Sequence, residues 1–170
     1  PGKPSRAATP SALALAGRRI DGTFVLSAVN IAGATVFSAA DLSKSFEPYL
    51  ASRVGQAELD KVAADITRRY RDAGYILSYA VVPEQSVQSG IVRVRVVEGY
   101  IDRVRIQGDK KSVAAVRRLF ERLQEDRPLR KDTLERTLGL ARDIPGITLA
   151  DTRISRTAGD PARRQLAVVL

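Results

Sequence analysis

Two spacings of apolar residues divide the chain into elements. From Ile91 to Val97 they alternate, with Val92, Val94 and Val96 turned one way and Arg93 and Arg95 the other. That is the period of a half-buried strand. From Leu59 to Tyr70 they recur every three or four positions, at Leu59, Val62, Ala63, Ile66 and Tyr70, while Asp60, Lys61, Arg68, Arg69 and Arg71 fall largely outside the stripe. That predicts an amphipathic helix beginning near Glu58 and capped by a left-handed Gly74. Tyr75 to Val82 is β-rich and ends at Pro83, Gln85 to Gly90 form a polar connection, and Glu98-Gly99 breaks the alternating strand. Upstream, Phe24 to Ile31 reads as a strand closed at Gly33. Ser38 followed by Asp41 starts a helix whose Leu42, Phe46, Tyr49 and Leu50 share a face. The order is β-α-α-β-β.

The order then repeats. Tyr100 to Gln107 is a strand closing on Gly108, as the first closes on Gly33. Ser112 to Leu123 and Asp132 to Ile144 are helical by their stripes, Pro145-Gly146 stops the second, and Ile147 to Arg156 and Gln165 to Leu170 are strands joined by Ala158-Gly159-Asp160-Pro161. Gly33 to Gly74 is 41 residues and Gly108 to Gly146 is 38. The fold class this predicts is α+β, as two tandem βααββ modules, each a three-stranded mixed sheet with two helices on one face. The division expected is an arm or linker at 1–21, one module at 22–99 and a second at 100–170. The other sheet face is left to water, consistent with Arg93/Arg95 and Arg103/Arg105, and the short join at Glu98-Gly99 predicts a defined elbow. Within 1–19, SALALAG is like the end of a signal peptide, although its apolar run is short and follows Pro and Thr. The alternative is a linker or frayed arm. The first residue is Pro1, as in a mature or excised piece.

Composition narrows the chemistry. The chain of 170 residues has no cysteine and no histidine, which removes disulfides, thiolate catalysis, Ser-His-Asp chemistry and the usual metal ligands. Acidic residues are scattered and no phosphate loop is present, so the expectation is no enzyme, no metal and no cofactor. No apolar run approaches the ~20 residues of a membrane helix. The net charge is +9, but acids are interspersed with the bases, so a nucleic-acid or anionic partner is permitted without being demanded. A KH-like nucleic-acid module would need a G-x-x-G loop between its helices, and no such spacing occurs. No nucleic-acid partner is expected.

Gly74-Tyr75-Ile76, then Pro83 and Gln85, then Gly90 with the alternating valines, then Glu98-Gly99 and the Ile106-x-Gly108 close stand in an order that resembles the tandem POTRA domains (polypeptide-transport-associated domains) of two-partner secretion transporters, the haemolysin secretion/activation family. Leu134-Glu135-Arg136 through Leu140, with Pro145-Gly146-Ile147, is similar to that family's second POTRA unit, and the likeness covers roughly residues 22–170. The second unit departs from the first in carrying Pro145-Gly146 where the first has Gly74-Tyr75. The resemblance implies a periplasmic module of an outer-membrane protein that captures an unfolded secreted exoprotein and hands it to the protein's own C-terminal β-barrel. A POTRA-type scaffold for assembly at the membrane is the alternative, and the piece is expected to be monomeric.

Such a module works by strand addition, in which a sheet edge takes an extended chain through main-chain hydrogen bonds. The strand after the second helix is the edge the resemblance points to: Ile76, Leu77, Ser78, Tyr79, Ala80, Val81 and Val82 in the first unit, beside a groove at Ala63, Ile66 and Tyr70, and Ile147 to Arg156 in the second. The plainer reading of the first stretch is a core strand. Tyr70, Tyr75 and Tyr79 read as packing, and Pro83 and Gln85 as shaping the hairpin connection. Arg117, Arg118, Arg122, Arg130 and Arg136 are candidates for contact with barrel turns or anionic lipid headgroups, or else a solvated helix face.

Overall fold

A computed structural model describes Ile20 and residues 22–170. The arm or signal remnant expected at 1–19 lies outside the described residues. The elements are β1 (Phe24–Val25), β2 (Ala28–Ala32), α1 (Ala39–Ser43), β3 (Arg53–Val54), α2 (Gln56–Asp72), β4 (Tyr79–Val81), β5 (Ile91–Val97), β6 (Tyr100–Gln107), α3 (Lys110–Glu121), α4 (Lys131–Arg142), β7 (Asp151–Arg156) and β8 (Arg163–Val169). Two three-stranded sheets share one topology. In the first the order is β2-β5-β4, in the second β6-β8-β7. In each, the first strand runs parallel to the last, which lies at the centre, and the middle strand pairs antiparallel on the far side. A parallel pair needs a long crossover, and the two helices supply it. Val92, Val94 and Val96 turn into one core with Leu59, Val62, Ile66 and Tyr70. Leu166 and Val168 turn into a second with Val116, Phe120 and Ala141. Arg93, Arg95, Arg103 and Arg105 face water.

Four expected elements come out differently. The helix begun by Ser38 does form its reciprocal cap: the Ser38 hydroxyl accepts from the Asp41 amide at 3.1 Å, and the Asp41 carboxylate accepts from the Ser38 amide. It ends at Ser43, however, and a 3-10 turn follows at Glu47–Tyr49. Pro48 explains the break, because a continuous helix there would lack one amide and clash with the preceding turn. The strand expected from Phe24 to Ile31 splits at Leu26, since the chain changes partners there. Leu26 exchanges backbone bonds with Ala51 and Ser52, while Ser27 donates to Gly90. The strand expected from Ile76 to Val82 is reduced to Tyr79–Val81, and that from Ile147 to Arg156 to Asp151–Arg156. In both, the leading residues turn aside first: Ser78 donates to the Tyr75 carbonyl, and Ile147 to that of Ile144.

The elbow is built rather than slack. Ile76 and Leu77, upstream of β4, pack on the second core cluster. The Leu129 amide donates to Gly99 O at 2.9 Å and the Lys131 amide to Gly74 O at 2.8 Å. Gly99 is required at this crossing: a Cβ there would stand 2.5 Å from the Leu77 carbonyl oxygen.

Candidate functional site: two sheet edges

The candidate site rests on backbone groups, so the question at each edge is where the outward N–H groups go. Antiparallel pairing turns alternate residues toward the partner strand. At β4 the phase is fixed by Gln85, whose carboxamide donates to the Arg93 carbonyl and accepts from the Arg93 amide, both at 2.8 Å. In the β4–β5 register (Tyr79 with Val97, Val81 with Arg95) the residue opposite Arg93 would be Pro83, which has no N–H to give. The Gln85 side chain fills that place in the ladder. Ser78, Ala80 and Val82 therefore turn their backbone outward.

Two of those three outward amides are already taken. Ser78 donates to Tyr75 O at 3.1 Å, and Ala80 donates to Thr67 Oγ1 at 2.9 Å. Thr67 sits on α2, which lies along β4, and its hydroxyl also donates back to Ala63 O at 2.8 Å. The amphipathic register that buries Ile66 and Tyr70 thus brings Thr67 over the strand edge. Ile66 and Tyr70 are fully buried, so the groove expected beside them is filled core. Ser78 is buried too, with its hydroxyl accepting from the Gly99 amide at 3.3 Å. Of the candidate stretch, Ile76 and Leu77 belong to the elbow, and Tyr79, Ala80, Val81 and Val82 to the edge.

Tyr70 has a further assignment. Its hydroxyl donates to Glu98 at 2.6 Å, and the same carboxylate accepts from the amides of Thr35 at 2.7 Å and Val36 at 3.1 Å. The Tyr70 ring meets Phe37 edge-on at 4.9 Å. Partial burial alone would raise the Glu98 pKa, but the bonds from Thr35, Tyr70 and Val36 outweigh it and hold the carboxylate below its usual range. Burial, then the Glu98 bond, pushes the Tyr70 phenol well above its ordinary value. Glu98 thereby clamps the loop after β2, helix α2 and the end of β5 together. In the sequence Glu98 marks a strand break, the join between units and part of the POTRA-like motif order; its clamping of Tyr70 and the loop after β2 is carried by side-chain bonds that spacing does not encode.

At β7 the phase is fixed by Thr157, which donates to Arg163 O at 3.3 Å in continuation of the β7–β8 register. Asp151, Arg153 and Ser155 therefore turn toward β8, and Thr152, Ile154 and Arg156 present their amides outward. No hydrogen bond occupies those three amides among the described residues. The edge is open.

The five candidate arginines are all exposed. Arg117 lies 3.8 Å from Glu121 on α3, and Arg118 and Arg122 line a shallow depression with Glu121, Gln124, Glu125 and Arg127. Arg130 immediately precedes α4 and Arg136 lies on it. Acids interleave with the group around α3, so it is a mixed surface. Among the described residues no cluster of acids could hold a metal, and no helix is long and apolar enough to cross a membrane.

Residues 24–99 match the POTRA domain, ShlB-type. The heme/hemopexin transporter protein HuxB of Haemophilus influenzae (strain 86-028NP) is 26% identical over 112 residues, which are 63% of this chain and 19% of HuxB. The outer membrane transporter CdiB of Escherichia coli is 28% identical over 85 residues, 50% of this chain and 14% of CdiB. The matched stretches therefore cover less than a fifth of the length of these relatives. Among solved structures, CdiB from Escherichia coli superposes with a TM-score of 0.72 at 20% identity, covering 95% of this chain and 29% of that one. The N-terminal domain of Omp85 from Thermosynechococcus elongatus gives 0.62 at 24% identity, covering 85% of this chain and 66% of that one. At these identities the structures speak for the fold. Residues 24–99 thus match the ShlB-type POTRA domain, and the chain is similar to two-partner secretion transporters of the outer membrane, whose POTRA domains lie in the periplasm.

Proposed function

We propose that the chain receives an unfolded, secreted exoprotein by strand addition and passes it toward an outer-membrane β-barrel of the same protein. The two modules divide at Glu98-Gly99, as 22–99 and 100–170, and act as one body through the Ile76-Leu77 wedge. The observation that carries the reading is the β7 edge, with unoccupied amides at Thr152, Ile154 and Arg156. An extended chain is the ligand that satisfies such a row, because its own amides and carbonyls have the same repeat. The remaining edges are less suited. β4 is closed by Thr67 and Tyr75, β6 is interrupted by a register shift between Ile101 and Arg103, and β2 is five residues long. Irregular and short edges resist strand addition. The helix arginines Arg117, Arg118, Arg122, Arg130 and Arg136 are left to face barrel turns or lipid headgroups.

The test titrates the 170-residue chain with the unfolded N-terminal secretion segment of a cognate exoprotein, following backbone amides by NMR. Saturable binding that protects the Thr152, Ile154 and Arg156 amides from exchange is expected. Thr152→Pro removes one outward N–H without touching the β7–β8 ladder, and should weaken binding about tenfold. Failure of a true cognate segment to bind at high concentration would sink the capture reading.

A further inference from the structure

We propose, resting on the strand-addition reading, that the β7 edge selects its ligand by charge: it takes an extended segment whose alternate side chains are carboxylates on one face and apolar on the other. Side chains of an added strand stand directly across from those of β7, with Cβ atoms about 5 Å apart. On the helix-free face they would meet Arg153, and one strand further in the same row runs Arg153–Ala167–Arg105. Ala167 is small, so no bulky side chain separates the two guanidinium-bearing positions. Arg103 lies in the next row, beside Gln165. All three arginines are exposed.

The acid on β7 that turns to this face is Asp151, 3.7 Å from Arg153 with both side chains more than half exposed. A solvent-exposed pair of that kind is weak and easily exchanged for a better one. Arg103, Arg105 and Arg153 outnumber Asp151 on this stretch of the face, and Arg163 at its far end is paired with Asp160 at 3.6 Å. On the core side β7 presents Thr152, Ile154 and Arg156, and the middle one, Ile154, is half-buried and packed on the second core cluster. An apolar ligand side chain there would extend that floor. Of the 28 basic residues in the chain, 22 are arginine, the side chain whose planar fork holds a carboxylate through two bonds. The first unit offers no equivalent. Its edge residue in the corresponding outward-facing row is Val81, opposite Arg95, and its central amide is closed.

The experiment uses the 170-residue chain and three synthetic peptides of equal length: alternating Glu and Val, alternating Lys and Val, and a block-scrambled Glu/Val sequence. The Glu/Val peptide should bind about tenfold tighter than the Lys/Val peptide at low salt, with the gap narrowing as salt rises. Arg153→Glu combined with Arg105→Glu should reverse the preference, and Arg153→Gln should flatten it. Methylating alternate backbone nitrogens of the Glu/Val peptide should abolish binding. Equal binding of Glu/Val and Lys/Val peptides, unchanged in Arg153→Gln, would overturn the charge selection and leave strand addition standing. If no peptide protects the β7 amides, both fall. If vesicles containing phosphatidylglycerol bind through Arg153 and Arg105 and the Glu/Val peptide does not compete, the face belongs to a lipid surface and the proposal is overturned.

Discussion

Strands β4 and β7 occupy the same place in their sheets, each an edge strand antiparallel to the central one, yet their outward amides are engaged differently. At β4 the amide of Ala80 ends on the hydroxyl of Thr67. Helix α4 carries a comparable residue, Thr137, whose hydroxyl makes the same back-bond four residues upstream, to Thr133 O at 2.8 Å. Among the described residues, no strand amide reaches it. The two modules repeat their topology, but at β4 Thr67 and the Tyr75 carbonyl take two outward amides, whereas among the described residues none is taken at β7. Repetition of a fold therefore does not carry a binding surface with it; the outward hydrogen bonds have to be followed one by one.

Breaking the first unit should be easier than breaking the second at matched positions. Gly33 and Gly108 close the first strand of their units, but a Cβ on Gly33 would stand 2.3 Å from Val96 O with φ at +85°, whereas one on Gly108 would meet the Leu170 side chain at 3.0 Å. Gly33→Ala should cost about 3 kcal/mol and Gly108→Ala about 1 kcal/mol or less, read from urea unfolding midpoints. Glu98→Ala strands the Tyr70 hydroxyl and two amides, and should cost about 2 kcal/mol. The sign of its pH dependence follows from the depressed pKa. The clamp's contribution is fully present above the ordinary glutamate value of 4.5 and is lost as pH falls through the lower folded-state value. Glu98→Ala should therefore flatten the acid limb of the stability curve.

Smaller effects sharpen the contrast between the edges. Leu77→Ala should cost about 1.5 kcal/mol and lower exchange protection in the second unit, because the side chain packs on that unit's core cluster. Thr67→Val keeps the shape of the side chain and removes the bond to Ala80. A loss of about 1 kcal/mol is expected, with faster exchange of the Ala80 amide and no change at β7. An unchanged Ala80 amide would mean that the edge is closed by something other than Thr67.

The repeat was legible in the sequence because it depends on apolar period and on punctuation. The valines at 92, 94 and 96 and the stripe from Leu59 to Tyr70 both lie as their spacing requires. What spacing could not carry was the destination of particular side chains. Ile76 and Leu77 are as β-prone as Val81 and Val82, and only the crossing at Gly99 sends them to the other module's core. Pro48 was the visible reason that α1 stops, and its weight was missed because the apolar stripe continued past it. Gln85 and Glu98 work through side-chain bonds to backbone groups eight and more than sixty residues away, which no local pattern encodes. The candidate site residues lay on the first unit's strand, Ile76 to Val82, and the closure of that edge required Thr67 to be seen on its helix.

Amide hydrogen exchange at the two edges, measured with and without the secretion segment of the cognate exoprotein, tests the central claim most directly. Ligand should slow exchange at Thr152, Ile154 and Arg156 by tenfold or more and leave Ala80 as it was. Protection that appears at Ala80 and Val82, with β7 unchanged, would contradict the account.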